Sequence, residues 1–255
     1  MSGTTEVRMR LDLSATAVAA PRSPYGLSAV TDSVRAEAFL RDSAHTASGP
    51  YLRPFTPHAA WRAARVFVVG TNPATPLRDE FASFDAYWHA LTCDPDRFDA
   101  IYRSRHGGKT SRTTARIQRF EAPLRNIGVL RTNACALPSR RWSDLSAGER
   151  REQLASGLLI LRALVAICQP AAILAHGKEG VRAVSDLFGV RLDPYVPLLS
   201  QATRFAPTPD SAPVQLFAYP HLSGIGVEKG FGVGQMGDEL EALGGRLALS
   251  LQSAK

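Results

Sequence analysis

Cysteine is scarce in this chain and thinly spread. Cys93, Cys135 and Cys168 are too few and too scattered for a disulfide framework or a four-cysteine metal cluster. They fit a reducing, intracellular compartment. Long hydrophobic runs are missing as well. The longest, over 158–168, is interrupted by Arg162 and falls short of a bilayer-spanning length. Near the start, Arg8 and Arg10 are followed by no apolar stretch before Ala19 and Ala20, so no secretory signal is expected. No Walker-type GKT/S follows a strand-like run and no GxGxxG opens a helix, which weakens nucleotide-cofactor readings. His89 and Cys93 stand four apart on one predicted helix face. With no further ligands in view they read as an ordinary core or surface pair. The expectation is a cytoplasmic protein with no membrane span, no metal and no cofactor.

Acidic residues are the other shortfall. Asp and Glu number 23 against 30 Lys and Arg, a formal net charge of +7. That balance favours polyanionic partners such as nucleic acid. The 45% apolar content excludes wholesale disorder, and 255 residues are enough to bury a full core.

What is present is an alternation of strand-like and helix-like segments. Val66-Phe67-Val68-Val69 is mostly β-branched, the pattern of a central parallel strand buried on both faces. Further strands are predicted over 129–135, 171–177 and 214–219. Ser146-Ala147-Gly148-Glu149 is a capping box, opening a helix that runs to Cys168 and stops before Pro170. Other helices are predicted over 32–40, 83–91, 178–188 and about 234–251. This order argues for the α/β class, a three-layer α/β/α sandwich around a four-stranded parallel sheet. Residues 1–30, rich in Ser, Thr, Ala and Pro, read as a flexible N-terminal arm. Residues 31–255 read as one domain with a long basic excursion at about 76–128. Within it Arg103, Arg105, His106, Lys109, Arg112, Arg116 and Arg119 surround Gly107-Gly108. A solvated loop running into a basic helix face would account for them, and so would a flexible segment contacting phosphates.

In open α/β sheets, ligands bind at the carboxyl ends of the strands. Four such ends carry polar residues: Gly70-Thr71-Asn72-Pro73, Asn133, His176-Gly177-Lys178 and His221-Leu222-Ser223. Gly70 is expected to allow a sharp turn and Pro73 to stop the strand. Singly, each polar residue reads as a turn former or a hydrogen-bonded core residue. Together, two amides and an imidazole suit the reading of a flat heterocycle, because Asn offers both a donor and an acceptor.

In motif types, their order and the strands that carry them, the chain resembles the uracil-DNA glycosylase superfamily. Gly70-Thr71-Asn72-Pro73 is similar to its first motif, G-x-N/D-P, in the Asn-bearing form of the mismatch-specific and single-strand-selective branches. Thr132-Asn133-Ala134-Cys135-Ala136-Leu137-Pro138 resembles its base-reading strand end. His176-Gly177-Lys178 resembles its phosphate-pinching loop. His221-Leu222-Ser223-Gly224 matches the last motif, H-P-S-x, at His and Ser, with Leu222 where Pro is usual. The resemblance covers roughly residues 60–250.

The resemblance implies a monofunctional DNA glycosylase that flips a uracil-like or modified pyrimidine out of the stack and hydrolyses its N-glycosidic bond. Asn72 would orient the water, and His221 would stabilise negative charge on the departing base. Asn133 would read the base edge, with Gly70 and Thr71 lining the pocket and Phe84, or less plausibly Phe81, stacking on the base. Gly177, Lys178 and Ser223 would hold phosphates, joined by Arg105, Lys109 and Arg112, while Ile225 or Val227 would wedge into the vacated stack. The long excursion suggests a larger pocket, for a bulky base of the kind found in modified phage DNA. The implied partner is double- or single-stranded DNA, bound by a monomer. A non-catalytic DNA-binding member of the same fold and a small-molecule nucleoside hydrolase are the alternatives.

Overall fold

Alternate residues of the central strand face opposite ways, and the core divides accordingly. Strand β1 (Val66–Gly70) is buried at every position. Phe67 and Val69 belong to one apolar cluster, Val66 and Val68 to the other. This computed structural model describes residues 31–106, 110–201, 203–206, 213–228 and 231–253. The expected N-terminal arm and Lys109 lie outside the described residues.

The sheet runs β2-β1-β3-β5-β4, with β2 at Val129–Asn133, β3 at Ala172–His176, β4 at Arg204–Phe205 and β5 at Val214–Tyr219. The first four in that order pair in parallel, as the apolar runs predict. The sheet has five strands, not four. The additional β4 pairs antiparallel to β5, Arg204 opposite Gln215 and Phe205 opposite Val214. A two-residue edge strand inside a Pro-rich connection leaves no alternation to detect.

One face of the sheet is covered by α1 (Thr31–Ala44), α2 (Phe84–Thr92), α5 (Ala147–Cys168) and α6 (Gly177–Phe188). The other is covered by α4 (Arg112–Glu121) and α7 (Met236–Gln252), through Ile117, Phe120, Leu240, Leu243 and Leu247. Fully burying one such side chain is worth about 1.5–3 kcal/mol. An exposed ion pair such as Arg182–Asp186 is worth about 0–1 kcal/mol. The two apolar layers therefore hold the strand ends in register.

Helix starts follow local chemistry. Ser146 caps α5, accepting from the Glu149 amide while the Glu149 carboxylate accepts from the Ser146 amide. Ser83 caps α2 by accepting from the Ala86 amide at 3.1 Å. The excursion between β1 and β2 folds into α2, α3 (Pro95–His106) and α4. Part of it packs into the core: α2 extends one apolar layer, and α4 closes the other against α7. Among the described residues, no helix is long and apolar enough to cross a membrane.

Candidate active site

Parallel pairing brings the ends of β1, β2, β3 and β5 to one edge, with Gly70 opposite Asn133 and His176 opposite Tyr219. Gly70 is there for space rather than for the expected turn. Its φ is not positive; the left-handed residue after β1 is Thr75, at φ 54°. A Cβ on Gly70 would lie 2.8 Å from Asn133 Oδ1 and 3.0 Å from His176 Nε2. The missing side chain lets an amide and an imidazole approach the strand end together.

Asn72 is anchored by its amino group. Nδ2 donates to the Ser139 hydroxyl at 2.9 Å, the Pro73 carbonyl at 3.0 Å and the Ser139 carbonyl at 3.3 Å. Carbonyl oxygens only accept, so the amide orientation is chemically fixed. Oδ1 diverges from Nδ2 and so points away from that cluster, as an acceptor. The loops after β1 and β2 are tied together by Ala134 N–H to Gly70 O, Cys135 N–H to Thr71 O and Ser139 N–H to Pro73 O, at 2.8, 2.9 and 3.0 Å. Asn133 itself makes no side-chain hydrogen bond among the described residues and is only half-buried. Its donor and acceptor are both free for a ligand.

His221 has a defined tautomer. The Ser223 backbone N–H donates to Nδ1 at 3.2 Å, so Nδ1 must be the lone-pair nitrogen and the neutral ring carries its proton on Nε2. The Ser223 hydroxyl lies 2.7 Å from the same Nδ1 and accepts from the Ile225 amide at 3.1 Å. Burial pushes the pKa of His221 below its ordinary 6.5, an effect that Glu179 partly offsets. The ring is thus a neutral Nε2–H donor at pH 7. Gly177, at φ +72°, makes room for it: a Cβ there would sit 3.0 Å from His221 Cδ2 and 3.4 Å from Thr71 Oγ1.

Leu222, standing where the resembled motif has proline, is fully buried in the α4/α7 layer. Arg116 donates to the Leu222 carbonyl at 2.6 Å and the Val233 carbonyl at 3.0 Å, tying this loop to α4.

The sequence reading missed His176 as a site residue in its own right. It is 4% exposed, and its ring meets that of His221 edge-on at 5.7 Å and 78°. Burial, reinforced by the neighbouring His221, pushes its pKa down to about 3. Its Nδ1 is buried without a hydrogen-bond partner. The available signal was an apolar strand ending in His immediately before a glycine. Ser139, which orients Asn72, left no sequence signal.

Other expected site residues fall elsewhere. Phe84 packs in an aromatic cluster with His45 at 4.6 Å, Tyr51 at 5.2 Å and Trp88 at 6.2 Å, while Phe81 packs on Tyr87 and Phe98. Arg105 is paired with Glu80 at 2.6 Å, and Arg119 with Asp238 and Glu241. Arg112 is exposed at the start of α4. Arg105, Arg116 and Arg119 of the basic excursion are thus paired within the chain. Lys178 is exposed, and with Gly177, His221 and the exposed Ile225 it lines a cleft of about 660 Å³ along α6. Asn72, Asn133 and Thr71 do not line that cleft. Ser223 supports His221 and the loop rather than reaching the cleft. Val227 is half-buried against the α4/α7 layer. Among the described residues no group of three or more His, Cys, Asp or Glu side chains is placed to hold a metal ion.

No protein-family model and no curated protein matches the chain.

Proposed function

We propose that the chain is a DNA glycosylase that hydrolyses the N-glycosidic bond of a pyrimidine flipped out of DNA. The observation that carries this reading is one arrangement: an amide pinned by its amino group at Asn72, an uncommitted amide at Asn133, and a neutral imidazole at His221 with its Nε2–H defined. Neutral donors and acceptors suit an uncharged heterocycle, and two amides with no carboxylate suit a reaction driven by departure of the base.

Asn133 hydrogen-bonds the base edge, its donor and acceptor distinguishing one exocyclic pattern from another. His221 Nε2–H donates to a ring carbonyl oxygen, where negative charge grows as the C1′–N bond breaks and its electron pair moves into the ring. Asn72 Oδ1 accepts from a water that adds to C1′. The water's proton passes to solvent or to the released base, since an amide is too weak a base to keep it. His176, held neutral by burial, adds a hydrogen-bonding nitrogen beside Asn133 without placing a positive charge in the pocket.

Part of the excursion over 76–128 packs into the two apolar layers, and whether the base is bulky is read from the substrate panel that follows. Purified protein incubated with oligonucleotides carrying uracil, hydroxymethyluracil or glucosylated hydroxymethylcytosine, followed by alkali cleavage at abasic sites, tests the reading. Strand cleavage at the modified position supports it. Intact strands across the panel count against it.

A further inference from the structure

Of the cations expected to meet phosphates, Arg105, Arg116 and Arg119 have partners within the chain and Arg112 is exposed; further unpaired basic charge lies along α5 and α6. Arg105 and Arg119 hold carboxylates, and Arg116 holds backbone carbonyls. Arg150 and Arg151, at the start of α5, make no ion pair among the described residues, nor does Lys178 at the start of α6. Arg182, one turn on, has only an exposed 3.5 Å contact to Asp186, a pair of the kind that is readily exchanged.

These four cations line two adjoining clefts. One, of about 340 Å³, is lined by Trp142, Arg150, Arg151 and Glu179. The other, of about 660 Å³, is lined by Glu179, Lys178, Arg182 and Tyr195, and ends at His221. Glu179 is common to both. Each cleft therefore holds two cations, with Trp142 in the first and Tyr195 beside the buried Tyr219 in the second. Trp142 is half-buried, and the Tyr195 ring is held edge-on by Phe231 at 5.6 Å. A basic groove with aromatic platforms at intervals is the arrangement that grips single-stranded nucleic acid, because unstacked bases offer π-faces that a duplex keeps covered.

We propose that the two clefts form a track for single-stranded DNA. Phosphates pair with Arg150 and Arg151 on one side of Glu179 and with Lys178 and Arg182 on the other, and bases stack on Trp142 and Tyr195. Glu179 repels phosphate from the ridge between the clefts and so separates the two anion positions. The proposal rests on the glycosylase reading and names its substrate class: the flipped nucleotide enters from a strand already unpaired.

The test is binding of the full chain to a fluorescent, unmodified oligothymidylate, compared with the same strand annealed to its complement. No base release is needed for this readout. The single strand binds more tightly, and binding quenches tryptophan fluorescence. That quench reports on Trp142, because Trp61 and Trp88 are 0% and 9% exposed. Joint Arg150→Ala and Arg151→Ala substitution weakens binding and makes the log K against log salt slope shallower by about 1.4, two phosphate contacts at about 0.7 each. Trp142→Phe abolishes the quench while keeping most of the affinity, and Trp142→Ala weakens binding at least about fivefold. Equal or tighter duplex binding, a salt slope unchanged by the double arginine variant, or a quench that survives Trp142→Phe overturns the track. Thermal melts of each variant separate lost binding from lost folding. Base release from a duplex without single-strand binding would sink the track and spare the glycosylase reading. Single-strand binding without any base release would do the opposite.

Discussion

Replacing Gly70 with alanine separates the needs of the site from those of the fold. The backbone at Gly70 is not left-handed, so alanine meets no conformational penalty and gains about 0.4–1 kcal/mol from a stiffer unfolded chain. The new Cβ, however, would sit 2.8 Å from Asn133 Oδ1, and 3.0 and 3.2 Å from His176 Nε2 and Cε1. Comfortable non-bonded contacts begin at about 3.5 Å, so both side chains must retreat by roughly half an ångström. Overpacking of this kind costs about 1–3 kcal/mol, leaving a net loss of no more than about 2–3 kcal/mol once the entropic gain is counted. Activity should suffer more, since misplacing reacting groups by about 1 Å can cost about 100-fold. The expected outcome is a folded Gly70→Ala protein with base release reduced at least about tenfold. Thermal melting and single-turnover base release on the same preparation give the two numbers. Undiminished release would show that Asn133 and His176 need not crowd the end of β1, and the site geometry would fall with it.

Two further predictions concern groups around His221. His176 titrates near 3 in the folded chain against an ordinary 6.5. Above 6.5 its burial leaves stability intact. As pH falls from 6.5 toward 3, the unfolded chain takes up a proton that the folded chain refuses, and stability drops by up to about 1.4 kcal/mol per pH unit. Urea melts at neutral and mildly acidic pH should show this loss, and His176→Gln should flatten it; an equally steep dependence in the variant would contradict the assignment. Arg116→Met removes a charged donor from the Leu222 and Val233 carbonyls and should lower stability by about 1.5–3 kcal/mol. It should also reduce kcat by loosening His221, so an unchanged kcat would mean that the loop is rigid without the clamp.

Strands β1, β3 and β5 were legible as largely apolar runs and β2 as a shorter run ending in a polar residue, and the Ser146–Glu149 capping box announced its helix. Convergence of Asn72, Asn133 and His221 on one edge followed from topology alone. What was hidden depended on partners distant in sequence. Arg116 looked like part of a phosphate-binding run, but its partners lie 106 and 117 residues away. Phe84 fitted a stacking role by type, yet its neighbours His45 and Tyr51 come from before β1. Gly70 looked like a turn glycine, and only the positions of Asn133 and His176 reveal a steric role.

The central claim is that Asn72 positions a water for hydrolysis of a glycosidic bond. Base release from a modified-pyrimidine oligonucleotide, measured side by side for the native protein and Asn72→Ala, tests it most directly. Native protein should liberate the free base and leave an alkali-labile site, while Asn72→Ala should bind the same oligonucleotide and release base at least about 100-fold more slowly. Equal release by the two proteins would contradict the account.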